Sequence, residues 1–137
     1  MTLLELYRYA DAKNIRVDAF PLGKPEALAL LADDGMPCIA IDPFRLHGTA
    51  DEKTKLGHEL GHCMTGAFYG THTPRAVRAQ LENRAEKWEI RTLVGEDALN
   101  RAVADGRTEV WELAELFGVT EALMEKAIRF YRTGSLS

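Results

Sequence analysis

Residues 49–66 read TADEKTKLGHELGHCMTG and have the pattern of one helix. Thr49 and Glu52 have the spacing of a capping box, and the glycine at the end of the stretch is typical of a helix end. His58 and His62 are four positions apart, so on a helix their side chains share one face, one turn apart. Two imidazoles in this arrangement can bind one Zn²⁺ ion. In a chain of this composition, the H-E-x-x-H pattern arises by chance in about 1% of cases.

Glu59 directly follows the first histidine and is the candidate catalytic residue. In the H-E-x-x-H arrangement this carboxylate reaches the attacking water rather than the metal ion. It can accept a proton from that water and later donate one to the leaving amine of a peptide bond. The sequence therefore predicts His58 and His62 as zinc ligands and Glu59 as general base and then general acid.

A zinc hydrolase needs a third protein ligand, and residues 65–69 contain no histidine that could supply it. Glu82 and Glu86 are four positions apart on a helix predicted from about Thr73 to Val94, so either carboxylate could face the histidines. In glutamate-liganded zincins with E-x-x-x-D spacing, the first acid is the ligand. We therefore predict Glu82 as the third ligand and Glu86 as a hydrogen-bond partner that supports a ligand histidine.

Three polar residues between the two predicted metal-binding helices could assist the reaction. Tyr69, His72 and Arg78 each carry a hydrogen-bond donor. A donor placed beside the developing oxyanion of a tetrahedral intermediate accelerates acyl transfer. Each of these side chains is therefore a candidate oxyanion stabiliser.

These residues together resemble the ImmA/IrrE family of zinc metallopeptidases. The resemblance consists of the HELGH helix, a spacer of about twenty residues, and a second helix of the form E-x-x-A-[DN]-x-[FW]-A-x-x-x-L. In this chain the second helix supplies Glu82, Ala85, Glu86, Trp88, Glu89 and Leu93. The GAFY segment at 66–69 and the ENRAEKWEI string at 82–90 are similar to short stand-alone members from phages and mobile elements of Gram-positive bacteria. Glu86 stands where the family usually has Asp or Asn, and Glu89 where it usually has a small residue.

The resemblance implies a zinc-dependent endopeptidase that cleaves one specific protein. Members of the family cut, or are thought to cut, a cognate helix-turn-helix repressor and so release a silenced set of genes. The expected partner is therefore a DNA-binding repressor, with no direct contact to nucleic acid. The residues themselves support only peptide-bond hydrolysis by zinc.

Two other functions remain open from the sequence. The first is a zinc-binding regulatory module that acts by protein–protein binding without catalysis. The second is a DNA-binding adaptor, because residues 111–131 have the pattern of a helix-turn-helix around Gly118. Acidic residues in and around that segment would repel phosphates and disfavour the adaptor; they are Glu109, Glu112, Glu115, Glu121 and Glu125.

Composition narrows the class of protein. The chain has 137 residues, of which 46% are hydrophobic and 28% charged, and this is typical of one globular domain with a single core. A net charge of −4 disfavours electrostatic binding of the whole chain to nucleic acid or to an anionic membrane. The sequence shows no membrane-spanning run and no secretory signal, so we expect a cytoplasmic protein in which Cys38 and Cys63 are free thiols.

The remaining sequence predicts an α+β fold, a mostly helical, zincin-like domain with a small N-terminal β-sheet. Thr2 and Glu5 form a capping box for a helix to about Ala12, with Leu3, Leu4 and Tyr7 on its apolar face. Apolar runs at 15–19, 27–31 and 38–41 predict strands, and the turn residues at 33–35 predict that the last two form a hairpin. Glycine and threonine signals predict three more helices: one from Asp97 to Ala104, one capped by Thr108 and one capped by Thr120. We therefore expect a single domain with three parts: 1–48 with the first helix and the sheet, 49–94 with the metal-binding helices, and 95–137 with the C-terminal helices.

Overall fold

A computed structural model describes residues 1–137 and shows six α-helices and a three-stranded sheet. The elements in chain order are α1 (Leu3–Ala12), β1 (Arg16–Ala19), β2 (Ala27–Leu31), β3 (Pro37–Ile41), a 3₁₀ turn (Pro43–Arg45), α2 (Thr49–Thr65), α3 (Arg75–Leu93), α4 (Glu96–Ala104), α5 (Val110–Phe117) and α6 (Glu121–Thr133). The predicted α+β class, with a small sheet followed by five helices, is confirmed. None of the helices combines the length and the apolar character needed to cross a bilayer.

The sheet has the order β1-β3-β2, so β3 is the central strand. Strands β2 and β3 pair antiparallel, as the predicted hairpin requires, and Gly35 occupies the left-handed region in their turn with φ of +82°. Strand β1 pairs parallel with β3, an arrangement that the local pattern did not predict. Helix α2 packs against β2 and β3, which buries Cys38 through Ile41 in the central strand.

The first helix begins as predicted, and its apolar face differs from the expected one at Leu4. The Glu5 amide donates to the Thr2 hydroxyl at 3.1 Å, and the Thr2 amide donates to the Glu5 carboxylate at 3.2 Å, which completes the capping box. Leu3 and Tyr7 pack against the core as expected. Leu4, also expected there, is 59% exposed, and the fully buried leucine is instead Leu6.

Three helix starts differ from the predictions. Helix α5 begins after Glu109 rather than after the predicted cap Thr108, and no side chain caps it. Helix α2 begins after Gly48, whose φ is +99°, and no side chain caps it, so the predicted box at Thr49 is absent. The Glu52 carboxylate accepts a hydrogen bond from the Tyr7 hydroxyl at 2.6 Å. Helix α3 begins after Pro74 rather than at it, and the Thr73 hydroxyl accepts from the Gly70 amide in the preceding turn.

Helices α2 and α3 make the most extensive helix–helix contact, and two glycines bring them close together. A Cβ atom at Gly61 would overlap the backbone carbonyl of Ala85. A Cβ atom at Gly57 would lie 2.6 Å from Leu93 Cδ1 and 2.7 Å from Glu89 Oε2. A larger residue at Gly61 would separate the helices because it meets backbone atoms, whereas a larger residue at Gly57 would displace the facing side chains. The two glycines therefore set the spacing between the helices that carry the candidate ligands.

The C-terminal pair α5–α6 is tied to the first half of α2. The Lys53 ammonium donates to the Phe117 carbonyl at 2.5 Å, at the point where α5 ends. The Thr120 amide donates to the Thr54 hydroxyl at 3.1 Å, and the Thr120 side chain caps α6 as predicted. These contacts position α6 beside the same helix that carries both histidines.

Candidate metal centre

The two histidines of α2 point at Glu82 of α3. His58 Nε2 lies 2.7 Å from Glu82 Oε2, and His62 Nε2 lies 3.3 Å from Glu82 Oε1. The two Nε2 atoms are 3.3 Å apart. All three ligand atoms lie within 4.8 Å of one another, so His58, His62 and Glu82 could hold a metal ion. The structure thus brings together the three residues predicted as ligands.

A backbone carbonyl orients the second histidine. The Nδ1–H of His62 donates to the Ala67 carbonyl at 2.6 Å, which directs the Nε2 atom at Glu82. Helix α2 ends at Gly66 in the left-handed conformation, with φ of +66°. This turn folds the chain back so that the Ala67 carbonyl can reach the ring.

Charge complementarity holds Glu82 ionised. Hydrogen bonds from His58 and His62 lower the pKa of the Glu82 carboxyl well below its ordinary value. Burial alone would lower the pKa of His62, but its contacts with Glu82 and the Ala67 carbonyl raise it overall. An ionised carboxylate is the form that binds a metal ion.

Of the three candidate oxyanion stabilisers, Tyr69 contacts one of the candidate metal ligands. Its hydroxyl donates to Glu82 Oε1 at 2.5 Å, and this bond raises the pKa of Tyr69 to about 12. The phenol therefore stays protonated and can donate a hydrogen bond. His72 and Arg78 are exposed and line neither of the two cavities beside the histidines.

Glu59 lies where those two cavities meet. One cavity has a volume of about 300 Å³ and is lined by residues of α2, α3, α6 and the start of β2. The other, of about 180 Å³, lies between β2, α2 and the segment Ala67–Tyr69. His58 and Glu59 line both. Burial raises the pKa of the Glu59 carboxyl, and the two histidines oppose that shift.

Glu86 does not contact a histidine. Its carboxylate instead accepts from the Lys126 ammonium of α6 at 2.7 Å. The acid behind the first histidine is Glu89, whose Oε1 lies 3.9 Å from His58 Nδ1. Glu89 is 1% exposed, and burial raises its pKa well above the ordinary value.

Sequence reasoning noted Glu89 only as a departure from the family pattern. One signal could have found it: position 89 is seven residues after Glu82, two helical turns along the same face. Positions 82, 86 and 89 all lie on one face of the helix. The spacing alone therefore could not show which of the three acids reaches a histidine.

No protein-family model, curated protein or solved structure matches this chain significantly. A proposal about function rests on the side chains of the site and on the resemblance described above.

Proposed function

We propose that the protein is a zinc-dependent endopeptidase in which His58, His62 and Glu82 are the zinc ligands and Glu59 is the general base. The observation that supports it most is the convergence of two imidazole nitrogens and one carboxylate on a single point, beside a buried second carboxylate. Two histidines and one glutamate are the ligand set of a catalytic zinc site that keeps a fourth position for water or substrate.

The spacing of the ligands fits zinc. In a tetrahedral site with Zn–N distances of about 2.0–2.1 Å, the two nitrogens are about 3.3–3.4 Å apart. The two Nε2 atoms here are 3.3 Å apart. The 2.7 Å contact between His58 and Glu82 is a hydrogen bond that the ion would replace.

A zinc ion held there would supply Lewis acidity toward water and toward the substrate carbonyl. Glu59 accepts a proton from the attacking water as the new C–O bond forms. It then donates that proton to the leaving nitrogen as the C–N bond breaks. The Tyr69 hydroxyl, after leaving Glu82, can donate to the oxyanion of the tetrahedral intermediate.

The smaller cavity is lined by all three candidate ligands and by Glu59, so a polypeptide could bind there with its scissile carbonyl beside both the metal ion and the general base. Cleavage within the chain rather than at its end is what the resemblance implies. The resemblance indicates that the polypeptide belongs to a helix-turn-helix repressor. Selectivity would then come from docking of that one protein, and we expect negligible activity on casein or unstructured peptides.

The test uses zinc-loaded protein and, as the candidate substrate, a helix-turn-helix repressor from the same genome. Wild-type protein should cleave the repressor at one site, and Glu59→Gln should retain zinc but lose cleavage. Glu86→Gln is the matched control, because it changes a neighbouring acid that contacts Lys126. Zinc binding without cleavage, together with equal repressor binding by Glu59→Gln, would favour the non-catalytic module. Absence of zinc binding would overturn the proposal, and a salt-sensitive, sequence-specific gel shift would favour the DNA-binding adaptor.

A further inference from the structure

Glu89 carries the one buried side-chain oxygen or nitrogen that has no hydrogen-bond partner, its Oε2 atom. The side chain is 1% exposed and packs against Gly57 of α2. A buried carboxylate without partners destabilises a fold, and an apolar side chain of similar size would be better tolerated there. The fold therefore gives no reason to have an acid at position 89.

Glu86, the neighbouring acid on α3, has a partner within the fold. Glu86 already pairs with Lys126, which leaves no ammonium for Glu89. The charged groups that act electrostatically on Glu89 are Glu59, Glu86 and Lys126. None of them forms a hydrogen bond with its Oε2 atom. The one potential donor directed at Glu89 is the ring of His58, with Nδ1 at 3.9 Å from Oε1.

The Nδ1 atom of His58 would need a hydrogen-bond acceptor if the ring bound a metal ion through Nε2. Its Nε2 faces Glu82 and His62, so a metal ion would bind the lone pair on that atom. The proton of the neutral ring must then lie on Nδ1. For His62 the equivalent proton is already accepted by the Ala67 carbonyl at 2.6 Å. His58 has no backbone acceptor of this kind, and Glu89 occupies the corresponding place.

We propose that Glu89 is a positioning residue that accepts the Nδ1–H of His58 and thereby fixes the tautomer and ring orientation with which His58 binds the metal. This inference rests on the metal-binding part of the proposed function and is independent of peptidase activity. The 3.9 Å separation is longer than a hydrogen bond, so the proposed bond requires a small rotation of the His58 ring.

This role predicts opposite effects on folding and on metal binding. Glu89→Met removes the unpartnered carboxylate and should raise the urea midpoint of the metal-free protein. The same change removes the acceptor behind His58 and should weaken zinc affinity by about 10- to 100-fold, as for other partners of ligand histidines. A residue with a merely structural role would not change the two quantities in opposite directions.

The experiment measures zinc affinity by competition with a chromophoric chelator and stability by urea unfolding in excess chelator. Glu89→Gln retains one oxygen acceptor and should recover part of the affinity that Glu89→Met loses. Glu86→Gln should leave the affinity unchanged. Zinc affinity of Glu89→Met equal to that of the wild type would overturn the inference while leaving the proposed function intact, whereas a wild-type protein without zinc affinity would defeat both.

A second measurement applies even if Glu89→Met does not fold. In zinc-loaded protein labelled with ¹⁵N-histidine, the Nδ1–H proton of His58 should be slowly exchanging and shifted downfield by its bond to a carboxylate. Glu89→Gln should move this signal upfield while the signal of His62 stays in place. A His58 signal that is absent in the wild type, or unchanged in Glu89→Gln, would contradict the proposed hydrogen bond.

Discussion

Two long charged side chains are buried along helix α2, and the protein accommodates them differently. Lys53 lies in the first half of α2 and is 4% exposed, but its ammonium donates to the Phe117 carbonyl at the end of α5. Glu89 of α3 packs against Gly57 in the second half, and its Oε2 has no partner. Both side chains lose most of their hydration, and only the lysine regains a hydrogen bond within the fold.

The difference separates a structural region from a candidate functional region. Around Lys53 the buried charge closes the end of a helix, as expected where only stability matters. Around Glu89, Oε2 has no partner, and Oε1 lies 3.9 Å from Nδ1 of a histidine that faces the metal centre. Groups that are poorly satisfied by the fold concentrate at functional sites, because the fold is stabilised elsewhere.

The largest expected effect is on metal binding. His58→Ala, His62→Ala and Glu82→Ala should each reduce zinc affinity by more than about 100-fold, because each removes one of three protein ligands. Lys53→Met, in the structural region, should leave one zinc per chain. Zinc content after dialysis, measured by atomic emission, checks this. If Glu86→Ala loses zinc and Glu82→Ala retains it, the assignment of the third ligand is reversed.

The next effect is on catalysis. Glu59→Gln preserves the size of the side chain but cannot accept a proton, so cleavage of the repressor should fall by at least about 100-fold. Zinc content and the unfolding midpoint should stay close to those of the wild type. The rate of product formation on a gel is the measurement, and wild-type cleavage by this variant would show that another group acts as the base.

A third prediction concerns the contact between α2 and α3. Gly61→Ala should destabilise the protein by about 3 kcal/mol or more, because the new methyl group overlaps the Ala85 carbonyl. Gly70→Ala is the matched control, since no atom lies within 4 Å of a Cβ at that position. Urea unfolding of the two variants provides the comparison. Equal stability of both would mean that the helices can separate freely.

A fourth prediction concerns the structural region. Lys53→Met should destabilise the protein by about 1–3 kcal/mol, because the Phe117 carbonyl loses its donor. At Glu89 the same replacement should be stabilising. Free energies of unfolding from urea titrations would show the opposite signs, and a stabilising Lys53→Met would remove the distinction between the two regions.

The Lys53 effect should also depend on pH. In the folded protein, burial lowers the pKa of Lys53 below its ordinary value of 10.5, which the unfolded chain retains. At pH values between the folded-state and unfolded-state pKa, the unfolded chain therefore binds more protons than the folded chain. The wild type therefore gains stability relative to Lys53→Met as the pH rises toward 10.5. Unfolding of both proteins at several alkaline pH values tests this, and a gap that narrows with rising pH would contradict it.

The smallest effect is expected at Glu86. Its ion pair with Lys126 is partly open to solvent, since the Lys126 side chain is 45% exposed. Glu86→Gln should therefore change the free energy of unfolding by less than about 1 kcal/mol and leave zinc affinity unchanged. Unfolding in urea and chelator competition measure the two quantities. A loss of zinc affinity comparable to that of Glu89→Met would assign to Glu86 the supporting role that the sequence predicted.

Local sequence signals predicted most of the elements. The caps at Thr2 and Thr120 marked two helix starts, and both are present in the structure. The turn around Gly35 marked the hairpin. These signals succeed because a cap or a tight turn depends on residues only a few positions apart. The spacing of His58 and His62 likewise predicted that the two rings share one face.

Local sequence signals failed where a residue far away in the sequence determines the structure. The box expected at Thr49 is absent, since helix α2 begins one residue earlier, after Gly48, and the Glu52 carboxylate contacts Tyr7 on another helix. The parallel pairing of β1 with β3 depends on contacts across more than twenty residues, which no local pattern encodes. Leu4 and Leu6 are equally apolar, and only packing determined which of them faces the core.

Local sequence patterns were thus sufficient to predict the α+β class, the order of the helices and the common face of two histidines with an adjacent glutamate. The choice among three acids on α3 depended on how the helices pack. This packing placed Glu82 against both histidines, Glu86 against Lys126 and Glu89 behind His58. The physical reason is that helical periodicity fixes which residues share a face, whereas the close approach at Gly57 and Gly61 fixes which of them a neighbouring helix can reach.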